Sequence, residues 1–105
     1  MSTPEGAIKR KVSALLDKYG CYRFMPVQAG FGKPGLDYHC CVNGYAFFIE
    51  TKAGNKRPTP RQEHTIQEIE RAGGVCFVVN EFTGMQELEE WIKEIQDVRG
   101  RESVG

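Results

Sequence analysis

Asn43-Gly44 lies between two runs rich in apolar residues, and no other dipeptide in the chain restricts the fold as much. A type I′ turn needs positive φ at both central positions, which asparagine and glycine tolerate best, so Leu36 to Lys52 is predicted to fold back as a two-residue hairpin. Pairing Val42 with Tyr45 fixes every other pair: Cys40 faces Phe47, Tyr38 faces Ile49, and Asp37 faces Glu50. The strand period of two puts Tyr38, Cys40, Val42, Tyr45, Phe47 and Ile49 on one face, the expected core. Asp37, His39, Cys41, Ala46, Phe48, Glu50 and Lys52 share the other face. Two carboxylates opposed at a non-hydrogen-bonded pair repel each other unless a proton or a cation sits between them. With Lys52 two residues past Glu50 on the same face, the trio reads as a metal site with an ammonium beside it. That is equipment for hydrolysing phosphate esters.

A chain of 105 residues is one domain, and no linker interrupts it. Lysine plus arginine balance aspartate plus glutamate at 14 each, which gives no support to a strongly basic nucleic-acid binder. The distribution is more informative than the sum. Lys52, Lys56, Arg57 and Arg61 fall in a stretch without an acid, whereas Glu81 to Asp97 holds six acids and only Lys93 as a base. One edge is therefore predicted to be positive, suited to phosphates. Cys21, Cys40, Cys41 and Cys76 show neither a CxxC spacing nor an accompanying secretory signal, and are read as reduced. Cys21 and Cys76 fit a core, and the adjacent pair is expected to point to opposite faces. No run approaches the ~20 apolar residues of a membrane span, so a cytoplasmic location away from membranes is expected.

Along the chain, Thr3-Pro4 predicts the start of a helix with Ile8, Val12, Leu15, Leu16 and Tyr19 inward, closed by Gly20. Glu5 falls on that inward stripe, where its carboxylate also favours the positive end of its own helix. A strand is expected over Cys21–Val27, then a glycine-rich loop. Gly30, Gly32 and Gly35 match GxGxxG formally, but Pro34 and a strand follow where a dinucleotide fingerprint needs a helix, so no nucleotide cofactor is expected. The loop suits close approach of backbone to a ligand beside Asp37, with Lys33 available for a phosphate. Thr59-Pro60 predicts a second helix burying Ile66, Ile69 and Ala72. Val75–Val79 then reads as a strand parallel to Tyr45–Thr51 through a right-handed crossover. Thr83 caps a last helix with an apolar stripe of Met85, Leu88, Trp91, Ile92 and Ile95. The expected domain is 1–98, with 99–105 a flexible tail. Thr59-x-x-Gln62 is also a capping box, a role for Gln62 that competes with one in a site. His39 and Cys41 lack the second clustered pair that a zinc site requires.

The run GLD…IETK…TPRQ resembles the VRR-NUC domains of the PD-(D/E)xK nuclease superfamily, over nearly the whole chain from Glu5 to about Leu88. Leu36 stands where the family has proline, which stiffens the strand entry and supplies no ligand. The resemblance implies a restriction-endonuclease-like αβββαβ core, a mixed central sheet flanked by helices, plus a C-terminal helix. It implies Glu5 as the helix-one acid, Asp37 and Glu50 as metal ligands with the Thr51 carbonyl, Lys52 as the lysine of the ExK element, and Gln62 as the glutamine. Glu5 would complete the coordination through a water. The oxygen donors suit magnesium or manganese. Lys33, Lys56, Arg57 and Arg61 would track DNA phosphates. Stand-alone members are often phage or bacterial proteins, which implies a structure-selective endonuclease of the Holliday-junction-resolving or branched-DNA type. A homodimer would suit symmetric cutting, with Trp91 and the tail as candidate interface. Flap or non-specific cleavage, and a non-catalytic DNA-binding module on the same scaffold, fit the same residues.

Overall fold

A computed structural model of the protein describes residues 3–27 and 35–104, with side chains as far as Asp97. Seven elements follow one another: α1 Pro4–Lys18, β1 Tyr22–Phe24, β2 Tyr38–Val42, β3 Tyr45–Thr51, α2 Pro60–Arg71, β4 Val75–Val79 and α3 Met85–Val104. The strands lie in the order β1-β2-β3-β4. The first three run antiparallel to their neighbours and β4 runs parallel to β3, so the sheet is mixed, as the αβββαβ pattern predicts. Asn43 and Gly44 have φ of 50° and 87°, the signs a type I′ turn demands. The register is the expected one, from Val42 opposite Tyr45 to Tyr38 opposite Ile49.

One face of this sheet carries the core. Tyr38, Cys40, Val42, Phe47, Ile49 and Val79 pack there against Ile8, Val12, Leu15 and Leu16 of α1 and Leu88 and Ile92 of α3. Thr3 caps α1 through a 2.9 Å bond from Gly6 N to Thr3 Oγ1, with Pro4 at the first helical position. The fully buried Tyr38 ring keeps its hydroxyl satisfied by donating to the Lys9 carbonyl at 2.9 Å, with Ser13 Oγ also at 2.9 Å. Arg23 pairs with Asp17, which ties β1 to α1.

Five features of the fold depart from the sequence-based expectations. Strand β1 stops at Phe24, short of Val27, because Pro26 has no amide to donate to a ladder. Tyr45, expected in the core, is 38% exposed beside the turn. Helix α2 buries Thr65, leaving Ile66 and Ile69 half-buried and Ala72 exposed, so the second face is only partly covered and Tyr22 and Phe24 stay exposed on it. Helix α3 continues to Val104, through the stretch expected as a tail, where no proline stops it and Gly100 costs about 1 kcal/mol at most. Trp91, a candidate for an interface, packs within the chain against Phe47 and Phe77 at ring separations of 5.1 and 5.6 Å.

Gly84, just before α3, has φ +97°, and a Cβ there would stand 2.1 Å from the Val78 carbonyl oxygen. That atom is backbone of β4 and cannot swing aside. Gly84→Ala is expected to destabilise the protein by about 2 kcal/mol or more, read as a lower urea midpoint with an unchanged m value.

Candidate metal and phosphate site

Leu36, fully buried, anchors the chain as it enters β2, and Asp37 follows it just beyond the last ladder pair. The Asp37 side chain turns toward β3. Its Oδ2 accepts from both the amide and the hydroxyl of Thr51, each at 2.9 Å, while the Asp37 amide donates to Glu50 Oε1 at 3.3 Å. Asp37 and Glu50 are thereby brought together as the hairpin count predicts. Glu50 is 3% exposed, lying between β2 and β4 with Val78 as its partner on β4.

Two ammonium groups reach this pair. Lys52 Nζ lies 3.7 Å from Glu50 Oε2, and Lys9 Nζ from α1 lies 3.9 Å from Asp37 Oδ1. They do not cancel the cost of the buried charge. Glu50 is pushed up from 4.5 to about 7, first by burial and then by the Asp37 carboxylate; Lys52 and the Asp37 amide oppose this, and the charge of Glu5 adds a little to it. Lys9 escaped the sequence reading. The available signal was its place four residues after Glu5, one turn along the same helix face.

The donor chemistry of the pair fits a hard divalent cation. Asp37 and Glu50 offer carboxylate oxygens, with the Thr51 carbonyl next in the chain, and one or two carboxylates plus waters is the usual protein share of a magnesium site. Among the described residues no group of three or more histidines, cysteines or acids converges, so Glu5 is near enough to be felt but does not complete a ligand cluster. His39 is occupied otherwise: its ring packs edge-on against Phe24 at 6.2 Å and Phe48 at 5.2 Å. The four cysteines are free, with Cys40 buried and Cys41 exposed on opposite faces; Cys76, expected in the core, is half-buried.

Gln62 takes the capping role. Its Oε1 accepts from the Thr59 amide at 2.9 Å and its own amide donates to Thr59 Oγ1 at 3.2 Å, which closes the capping box. Its carboxamide oxygen is thus committed to the helix end. Lys56 and Arg57 are exposed in the loop after β3, and Arg61 is exposed in the first turn of α2. Lys33 lies outside the described residues. His64 is exposed, and its Nε2 sits 3.7 Å from Glu68 Oε1 one turn along α2.

The raised carboxyl of Glu50 links stability to pH. The folded protein holds this proton more tightly than the unfolded chain does, so the stabilisation is complete below pH ~4.5 and is lost as pH rises to about 7. Metal-free protein should lose on the order of 3 kcal/mol of unfolding free energy through Glu50 over that interval. Urea titrations at pH 5 and pH 8 measure it, and Glu50→Gln should flatten the difference. An equal fall in the variant refutes the assignment.

No family sequence model matches the chain, and no curated protein matches it either. A solved structure described as a VRR_NUC domain matches it with a TM-score of 0.67 at 18% identity, over 91% of this chain and 97% of the other. At that identity the likeness is one of fold. The chain has the VRR_NUC domain fold, the fold that the sequence resemblance implies.

Proposed function

We propose that the protein is a magnesium- or manganese-dependent DNA endonuclease acting on branched DNA, of the kind that resolves Holliday junctions. The observation that carries this reading is Glu50 held buried against Asp37 with only partial compensation from Lys52, while Lys9 stands by Asp37. A divalent cation offsets the mutual repulsion of such an oxygen pair. Asp37, Glu50 and the Thr51 carbonyl would hold the ion, and Glu5 would reach it through a water. When bound, it lowers the pKa of a water and neutralises charge on the scissile phosphate.

The remaining work falls to side chains of the chain itself. Lys52, fixed beside Glu50, orients the attacking water and donates to the oxygen that gains charge. Lys56, Arg57 and Arg61, with Lys33 from the preceding loop, track the phosphates of the duplex. The amino end of α2 adds its dipole to theirs. Gln62 enters only through its Nε2, since Oε1 serves the cap. A two-fold dimer would place two such centres for paired cuts on a four-way junction.

Incubating the purified protein with labelled four-way, flap and linear duplex DNAs, with and without magnesium or manganese, tests the reading. Metal-dependent cutting of the four-way substrate is expected, and cutting of flaps or duplex alone moves the assignment to a flap or non-specific nuclease. Asp37→Asn, which keeps an acceptor for Thr51, and Lys52→Ala should each lower the rate at least about 100-fold. Both variants should remain folded by circular dichroism. Full activity in either one, or DNA binding with no metal-dependent turnover in the parent, would sink the proposal.

A further inference from the structure

Beside the carboxylate pair, the loop after β3 and the loop after β4 enclose a cleft of about 360 Å³. Lys56 and Arg57 of the first loop, Phe82 of the second and Val78 of β4 line it. Val78 is the β4 partner of Glu50, so the cleft begins one strand away from the centre assigned to phosphate cleavage. Ligands in α/β sheets collect at the carboxyl ends of parallel strands, which is where these two loops leave β3 and β4.

Phe82 is 73% exposed, and the loop that carries it is held firmly. Asn80 Oδ1 accepts from the Phe82 and Thr83 amides, both at 2.8 Å, and from Thr83 Oγ1 at 3.1 Å. The Asn80 amide donates to the Thr83 carbonyl at 3.0 Å, and the Glu81 amide donates across to the Gly54 carbonyl at 3.2 Å, tying the two loops together. Gly84 presses the base of the loop onto β4. An isolated exposed aromatic needs no explanation. Here the ring lines a cleft together with two cations, and among the described residues lining that cleft there is no acid.

An aromatic ring sharing a cleft with a lysine and an arginine is a combination that holds single-stranded nucleic acid. The ring stacks on the base, whatever its identity, and the cations take the phosphates. Paired bases in a duplex do not offer a free face; the first unpaired base at a branch does. We infer that the cleft is a binding site for one unpaired DNA nucleotide, stacked on Phe82 with its phosphates on Lys56 and Arg57. The site selects branched over continuous duplex DNA. This rests on the DNA endonuclease reading above and names the structural feature that the enzyme senses.

The test uses the whole chain with a splayed-arm duplex carrying 2-aminopurine as its first unpaired base, and with a plain duplex, in calcium buffer. The parent protein is expected to prefer the splayed arm and to change the probe's fluorescence. Phe82→Ala should bind the splayed arm about tenfold more weakly and the plain duplex unchanged, while Phe82→Trp should keep the preference. Lys56→Ala should weaken both DNAs alike and reduce the salt dependence. Equal melting temperatures for parent and Phe82→Ala exclude a folding defect. An unaltered splayed-arm affinity in Phe82→Ala, or an equal loss on both DNAs, overturns the inference while leaving metal-dependent cleavage standing. Failure of the parent to bind any DNA overturns the endonuclease reading and this inference together.

Discussion

Two hydrogen bonds from Thr51 to one carboxylate oxygen of Asp37 close the open end of the hairpin that Asn43-Gly44 closes at the other. Between those two fixed ends the register cannot slip, and a slip of one residue would carry Phe47 and Ile49 to the wrong face. The same bonds hold Asp37 where Glu50 must feel its charge. Glu50 is largely shielded from water, because β2 and β4 flank it and it is only 3% exposed. The electrostatic tension at the site is therefore a consequence of the sheet's construction. It is not a local accident of side-chain placement. Lys9 and Lys52 relieve it only in part, and their separations of 3.9 and 3.7 Å are too long for direct hydrogen bonds.

The two faces of the sheet divide the labour. One is sealed by α1 and α3 and supplies the hydrophobic stabilisation, including the aromatic cluster of Phe47, Phe77 and Trp91. The other is covered only partly by α2, so polar and titratable groups can approach water at its end. The carboxylates sit where these regimes meet: Lys9 arrives from a helix of the sealed side, and Lys52 continues the strand into the basic loop. The Lys52 amide donates to the Val79 carbonyl at 2.9 Å, which extends the pairing of β3 with β4 up to the start of that loop. A rigid strand end thus carries the ammonium, and a loop carries the cations beyond it.

Much of this was legible because the relevant signals are local. The Asn-Gly turn, the period of two, and threonine before proline at both helix starts each act over a few residues, and each appears as expected. What was not legible depends on how elements meet. Lys9 joins the site because α1 packs against β3, a contact between elements that its spacing from Glu5 hints at and does not establish. Gln62 had two roles compatible with its position, and the nearer one, three residues away, is satisfied in the fold. The burial of α2 was misjudged for the same reason: its apolar residues were identifiable, but the extent of sheet beneath them was not. Trp91 read as available because a helix stripe says that a face is apolar without saying which surface covers it.

The neutral net charge also shows why a sum over residues says little about binding phosphate. Charges in physiological salt are felt over roughly 8 Å, so a site responds to its own neighbours and scarcely to the rest of the chain. Lys56 and Arg57 share a cleft with no acid in its described lining, whereas Glu89 of α3 is engaged far along the sequence by Tyr19 at 2.6 Å and Lys18 at 3.2 Å. Those partners lower the Glu89 carboxyl pKa, the Tyr19 hydrogen bond most, and the contact joins α3 to the end of α1. Acids on the last helix are thus put to structural use while the basic loop keeps its field. Segregation of this kind gives a chain of zero net charge a basic edge, and it makes the ionic strength of the medium, more than the isoelectric point, the variable that governs the reach of that edge's field.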